Sequence, residues 1–356
     1  MSRGTGGKYE VSSLDEESYD EWDGVVARSP EGSVYSTAAY LDLLCRCAGG
    51  RFSVVGVRHG QELVGGVALY EREALSGTFV QPRLLLYYNG VVLRDYDTRY
   101  PSRRTARHLG MMEALANALE DRGYAANELR CRSPRSDLRP FLARGWTSDP
   151  SYSYVARLDD TERLWDQVDQ NLRRLVERAE EEGLRVTEDD EFDAYFRMHL
   201  EVHERKGAPL YLPGEAYGRY VDGLRRAGLG RLYHARLPDG RSVAAQIVLT
   251  GDHPVTHTVS AAAEGEHQDT GANPYLRWKV FQALAEDGYE GNDLTGAGLN
   301  SVTRFKSQLG AELEMNPVLR SPAWSLFRLQ RWSHEAYWRA RNRASAAVHR
   351  TLGRES

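Results

Sequence analysis

A chain of 356 residues, 41% hydrophobic and 27% charged, can bury two ordinary cores and excludes a generally disordered protein. Its net charge of −5 gives no overall pull towards nucleic acid, so any polyanion contact has to come from a local patch. Cys45, Cys47 and Cys131 complete neither a disulfide framework nor a metal site, the N-terminus lacks the apolar core of a secretory signal, and no run is apolar enough to span a bilayer, so the expected setting is a reducing cytoplasm.

Residues 1–8 read as a tail. Ser13 to Val26 reads as an acidic helix buried along Leu14, Tyr19, Trp22 and Val25, and Val34 to Cys45 as a second helix. Phe52 to Val57 and Leu63 to Tyr70 alternate around His59-Gly60, the pattern of a hairpin. Leu84 to Leu93 reads as a central strand region broken at Asn89-Gly90. A helical stripe of Leu109, Met112, Ala116 and Leu119 then runs into GYAANEL (Gly123 to Leu129), a strand, followed by a short helix ending at Gly145 and a strand from Tyr152 to Leu158.

Asp159-Asp160 marks a linker. Thr161 to Gly183 is a highly charged helix with a narrow apolar seam of Leu172, Leu175 and Ala179, expected on the surface and placed to bridge two units. Phe192 to Lys206 is another helix, and Leu232 to Leu237 with Val243 to Leu249 form a hairpin around Pro238-Asp239-Gly240. A strand from Val255 to Val259 leaves through a loop from Glu264 to Gly271. Asn273 is the expected N-cap and Pro274 the first residue of a helix that Gly288 closes. Tyr289 to Leu294 is a strand, Phe305 and Lys306 lie on a short helix, and a last strand follows.

GYEGNDL (Gly288 to Leu294) repeats GYAANEL without a gap, and Gly310 repeats Gly145 at the same offset of 165 residues. A helix end, a strand and a downstream glycine kept in one register imply duplication. The expected division is 9–158, 159–319 and a basic aromatic helix over 320–356. From Arg320 to Arg350 seven arginines stand against one acid, Glu335, with Trp324, Phe327, Trp332, Tyr337 and Trp338 interleaved. Such a stretch suits an anionic membrane surface or a tRNA backbone, and equally a helix that packs its aromatics while its arginines stay wet.

The order hairpin, strand, loop, helix, strand, helix, strand resembles the acetyltransferase superfamily known as GNAT. QDTGAN (Gln268 to Asn273) is similar to its Q-x-x-G-x-G/A loop, with Asn273 where Gly or Ala is usual. Two such units in one chain resemble the Fem family, most strongly over 160–318, where NLRRLVERA, HERKG, Asp293-Leu-Thr-Gly and FKSQLGAE stand in the family's order. The resemblance implies an α/β (α+β) fold of two tandem GNAT-like units, each with its own mixed, mostly antiparallel sheet flanked by helices. It also implies a transferase that moves an aminoacyl group from aminoacyl-tRNA to an amine, on a cell-wall precursor or a specialised metabolite, without a tightly bound cofactor. GNAT relatives in polysaccharide and lipid-linked pathways imply acyl-CoA and a lipid-linked acceptor instead, with peripheral membrane contact through the basic tail. A non-catalytic binding module is the reading from another class. The segment VYSTAAYLDLLCR lacks the lysine that contacts precursor phosphate in some Fem members, and no heptad arm follows Gly183.

Amide formation requires a neutral amine, a carbonyl held in line and positive charge aimed at the developing oxyanion. The family places a lysine after Phe in this helix, which gives Lys306 the electrostatic role; otherwise it is a surface lysine at a helix start. Gln268, Gly271, Ala272, Asn273 and Phe305 are the candidate donor contacts. Arg205, Lys206 and Tyr211 are the candidate acceptor contacts, against a reading as helix-end charges and a packed aromatic. Asp293 is a candidate to orient the amine or take its proton, although Glu128 at its repeat position argues for a partly structural acid. His199 and His203, four apart on a helix, lack a third metal ligand, and His253 and His257 are too far apart on a strand, so no metal is assigned. T-G-A-G-L-N at Thr295 lacks the third glycine of a dinucleotide loop, and no Ser-His-Asp or Walker pattern is visible.

Overall fold

The same run of elements occurs twice in the computed structural model, which describes residues 8–132, 137–265, 270–299 and 301–323, with the backbone alone at Lys206 and Ser301. The first run is β1 (Glu10–Ser13), α1 (Tyr19–Arg28), α2 (Ala38–Ala48), β2 (Arg51–His59), β3 (Glu62–Ala74), β4 (Gly77–Val80), β5 (Val91–Leu93), α3 (Pro101–Asp121), β6 (Ala126–Arg130), α4 (Arg139–Leu142) and β7 (Thr147–Arg157). The second is α5 (Thr161–Gln167), α6 (Gln170–Glu181), β8 (Arg185–Glu188), α7 (Phe192–Lys206), α8 (Gly214–Arg226), β9 (Gly230–Arg236), β10 (Ser242–Leu249), β11 (Val255–Ala263), α9 (Ala272–Glu286), β12 (Gly291–Asp293), α10 (Ser301–Gln308) and β13 (Glu312–Arg320).

The expected α/β architecture, a mixed, mostly antiparallel sheet flanked by helices, is present, but the halves share one sheet where each was expected to have its own. The described strands form one sheet in the order β1-β2-β3-β4-β6-β13-β7-β12-β11-β10-β9-β8, with β5 alongside β3. Locally the two runs match: β6 is parallel to β4 and β12 parallel to β11, each after its own helix. The final strands, however, are exchanged. β13 pairs with β6 of the first half (Arg320↔Glu128), and β7 pairs with β12 of the second (Val155↔Asp293). The two exchanged strands also run antiparallel to each other from Glu312↔Val155 to Arg320↔Thr147, which closes the seam. Short strands such as β6 and β12 need partners on both sides to satisfy their backbone, and nothing in a local pattern says which half supplies them.

Local chemistry explains the other departures. The helix expected over Ser13 to Val26 begins only at Tyr19: β2 captures Glu10–Ser13 as an edge strand, and Asp15 caps a 3-10 turn by accepting the Ser18 N–H at 3.1 Å. Ser33 and Thr37 divide the next helix into a 3-10 turn and α2, Thr37 Oγ1 accepting from the Tyr40 N–H. The expected strand from Leu84 to Leu93 survives only as β5. Ahead of it Leu85 takes a left-handed φ of 72°, and the Asn89 side chain replaces strand pairing, donating to Glu128 O and accepting from Arg130 N–H. The charged helix breaks at Val168, where Asp169 caps α6, and α6 lies on α9 with Leu172, Val176 and Ala179 buried instead of bridging the halves. α9 starts at Ala272 behind Gly271 (φ 75°), so Asn273 is inside the helix and not its cap. The strand expected over Tyr289 to Leu294 is reduced to β12, β7 begins earlier than Tyr152, and β4, β8 and α8 have no counterpart in the sequence reading.

Three main cores result. One fills the first half under α3 and one the second half around α6 and α9. The third is shared: Trp22, Tyr35, Tyr40 and Tyr88 of the first half pack with Tyr217, Tyr220 and Ile247 of the second, and Tyr40 OH lies 2.8 Å from Tyr220 OH. Burying that many large aromatic faces fixes the halves against each other. Among the described residues no helix is long and apolar enough to cross a membrane. The basic aromatic tail beyond Ala323 lies outside the described residues; Arg320, read as its first residue, ends β13 and pairs with Glu128 and Asp149.

Candidate functional site

Where β12 ends, the backbone makes an unusual turn. Thr295 (φ 53°) and Gly296 (φ 34°) both take positive φ, and Thr295 is one of two non-glycine residues to do so among the described residues. Such a conformation is sterically disfavoured for a side chain branched at Cβ and persists only where its surroundings impose it. Asp293 imposes it here: Oδ1 accepts the Thr295 N–H at 2.7 Å, while Thr295 Oγ1 donates to Thr258 O at 3.3 Å. The Tyr87 hydroxyl from the first half closes over Gly296, where an added Cβ would sit 2.8 Å from it.

The turn aims two carbonyls at Lys306. Its Nζ donates to Thr295 O and, at 2.8 Å, to Gly296 O. Burial, helped by the charge of Arg277 and opposed by that of Asp293, pushes the Lys306 ammonium down to about 8, so at neutral pH it remains mostly charged. An ammonium has three N–H donors, and two are anchored, which leaves one for a substrate oxygen. Lys306 is half-buried and not a surface lysine.

Lys306 lines a cavity of about 330 Å³. Its wall comprises Leu84 of the first half, Val202 and His203 at the end of α7, Ala208, Pro209 and Tyr211 after it, Thr258 to Ala261 of β11, Arg277 of α9, Leu294 and Thr295, and Val302 of α10. No Asp or Glu is among these residues. His203 Nδ1 is 2.9 Å from Pro209 O, an acceptor, so the neutral ring carries its proton on Nδ1 and keeps Nε2 as an acceptor. The His199 ring lies 4.1 Å from that of His203, and burial together with His203 pushes its pKa down to about 4. Behind them Tyr195 OH ties Ser260 and Tyr217 together at 2.6 Å each.

Of the residues singled out from sequence, the cavity brings together Lys306, Tyr211 and His203, the last weighed there only as a metal ligand. Phe305 is partly buried against the second core, and Ala272 belongs to that core. Gly271 is buried beneath α6, where an added Cβ would meet Leu175 O at 2.4 Å, and Asn273 is half-buried in the first helical turn. None of Gly271, Ala272 and Asn273 lines the cavity, so Lys306 does not share its wall with the described part of that loop; Gln268 lies outside the described residues. Arg205 is exposed beside the loop, its Nη1 3.1 Å from where a Cβ on Gly265 would be, and the Lys206 side chain lies outside the described atoms.

Asp293 is sealed. It is 0% exposed, its Oδ2 accepts from Tyr88 OH at 2.7 Å, and burial raises its pKa. It is not among the residues lining the cavity; it holds the Thr295 turn, whose carbonyl accepts from Lys306. A Ser-His-Asp line, invisible in sequence because it joins three distant segments, does exist here: Ser33 Oγ is 2.9 Å from His257 Nε2, and His257 Nδ1 is 3.7 Å from Asp293 Oδ2. All three are fully buried and the second spacing is too long for a hydrogen bond, which makes this a polar joint between the halves and not a nucleophile system.

Arg277, Thr258, Ser260 and Leu84 escaped the sequence reading. The one available signal was at Arg277, a charge in a helix that is apolar on nearly every side, with Leu276, Trp278, Val280 and Phe281 all buried around it. The first half provides a contrast at the 165-residue offset. Phe141 stands for Lys306, fully buried and edge-on to Trp146 at 4.9 Å, and Glu128 stands for Asp293 but is ion-paired to Arg130 and Arg320. The site exists once.

Residues 166–307 match the acetyltransferase (GNAT) domain family. Among solved structures, that of FemX is similar at TM-score 0.66 and 13% identity, covering 86% of this chain and 96% of its own. The C-terminal domain of a putative lysylphosphatidylglycerol synthetase from Agrobacterium fabrum is similar at TM-score 0.55 and 12% identity, covering 86% and 92%. A tandem GNAT protein from the clavulanic acid biosynthesis pathway is similar at TM-score 0.50 and 15% identity, covering 88% and 98%. No curated protein matches the sequence. Residues 166–307 therefore carry an acetyltransferase (GNAT) domain, and the chain as a whole shares its fold with FemX.

Proposed function

We propose that the chain transfers an aminoacyl group from aminoacyl-tRNA to a small amine in the Lys306 cavity, with no tightly bound cofactor. The observation that carries this reading is the Lys306 ammonium, fixed by two backbone carbonyls with its third N–H unspent in a cavity with no carboxylate among its described lining residues. The amine nitrogen attacks the ester carbonyl, negative charge develops on the carbonyl oxygen, and the anchored ammonium stabilises it without reorganising. The C–N bond forms as the C–O bond to the tRNA breaks. The amine proton passes to His203, which lines the cavity, and ends on the leaving oxygen.

The choice of donor is supported by the start of α9. A pyrophosphate seated on the first amides of that helix would have to share space with α6, since Gly271 and Ala272 are buried and Leu175 O is within 2.4 Å of where a Gly271 Cβ would be. The likeness to FemX and to a putative lysylphosphatidylglycerol synthetase agrees with aminoacyl transfer. Acyl-CoA is the second reading, supported by the QDTGAN sequence and the tandem GNAT protein. Incubation of the enzyme and a mixture of amines with labelled aminoacyl-tRNA or labelled acetyl-CoA separates them. The expected result is ribonuclease-sensitive amide product from the tRNA alone; product from acetyl-CoA alone refutes the donor assignment.

A further inference from the structure

We propose that Arg277 forms an anion subsite of the cavity, taking a carboxylate or phosphate group of a substrate whose acyl carbonyl or amine lies at Lys306. This assignment rests on the cavity being the site of transfer. Arg277 Nε and Nη1 are shut off from solvent and have no hydrogen-bond partner among the described residues. Among the described residues the cavity wall offers His203, Tyr211, Ser260, Thr295 and Lys306 to face it, and no acid. Two guanidinium N–H groups buried with no counter-charge among the described residues are expensive, because their lost hydration is not replaced. Burial lowers it to about 10, which still leaves it cationic at neutral pH.

Packing does not require this charge. At the same position of the first half stands Met112, fully buried on the equivalent helix. The fold therefore accommodates a plain apolar side chain here, and the half that carries Lys306 is the half that carries the arginine. Planar N–H groups with nothing to bind suit an oxyanion that arrives with the substrate. The same anion would cancel the repulsion Arg277 exerts on Lys306, so an occupied subsite holds Lys306 protonated to higher pH than an empty one.

Arg277→Met tests this without depending on the donor. Calorimetric titration of the full chain with inorganic phosphate, pyrophosphate or succinate, at ionic strength fixed with chloride, should show binding of at least one, weakened at least tenfold in the variant. Stronger binding of phosphates identifies a phosphate-bearing substrate, and stronger binding of succinate a carboxylate-bearing one. In ligand-free buffer the variant should melt at the same temperature as the parent or higher. In the transfer assay the KM of the anionic substrate should rise at least tenfold with a smaller change in kcat. Absence of binding to the parent by any of these anions, or a variant that binds them unchanged while melting lower, overturns the proposal and makes Arg277 structural. If the anions bind as expected but no aminoacyl transfer is found, the function proposed above fails while the subsite stands.

Discussion

Replacing Lys306 by methionine separates chemistry from folding, because the two respond in different ways. Loss of one charge-assisted contact to a developing oxyanion typically raises a barrier by about 3 kcal/mol, which is about a hundredfold in rate. The same lysine weighs against folding. Its descent from 10.5 to about 8 corresponds to about 3 kcal/mol of penalty for the charged form at neutral pH. Methionine removes that penalty but leaves Thr295 O and Gly296 O without their donor, at about 1 kcal/mol each. Net stability should stay within about 1 kcal/mol of the parent while turnover falls about a hundredfold. The pH dependence gives an independent reading. Between about 8 and 10.5 the unfolded chain still holds a lysine proton that the folded chain has released, so the stability of the parent relative to Lys306→Met should climb with pH across that window and level off above it. Urea denaturation at several pH values and initial rates of labelled transfer supply both measurements. Unchanged turnover removes Lys306 from the mechanism, and a loss of stability of about 3 kcal/mol or more makes it a structural residue.

If the protonated lysine is the active form, kcat should fall as pH rises through about 8, and this alkaline limb should vanish from the residual activity of Lys306→Arg, checked by pH–rate profiles of both proteins. Gly271→Ala should lower stability by about 2 kcal/mol or more in urea melts, because the new Cβ combines a φ of 75° with a 2.4 Å approach to Leu175 O. Residues 9–158 and 159–323 expressed separately should each remain unfolded by circular dichroism and regain the native spectrum on mixing, since each half lacks the strand that completes its sheet. A half that folds alone would contradict the exchanged pairing.

The sequence carried local features well and long-range ones poorly. The hairpin around His59-Gly60, the helix from Phe192 to Lys206 and the repeat of GYAANEL in GYEGNDL are visible because period, turn residues and register are local. Lys306 was visible through the Phe-Lys pair, and its burial was not, because the carbonyls that hold it come from a turn whose positive φ at Thr295 no propensity announces. Asp293 was legible as an acid that could orient the amine or be partly structural, but its burial was not, because the Tyr88 hydroxyl that seals it comes from 205 residues away in the chain. The glycine of QDTGAN has a phosphate-loop appearance, and a sufficient reason for it is the close approach of α6. Arg277 was passed over because a charge on a helix that also carries Lys279 and Glu286 reads as part of a solvated face until the cavity beside it is seen.

The reciprocal exchange of β7 and β13 changes what duplication means for this chain. After a simple duplication a spare copy can decay or be deleted once the other retains the activity. Here the first half has Phe141 where the second has Lys306, yet it holds the last strand of the second half, its Leu84 lines the cavity and its Tyr87 closes over Gly296. Under the proposed function the half without the lysine is indispensable as scaffold, free to vary at Phe141 and constrained wherever its strands cross the seam.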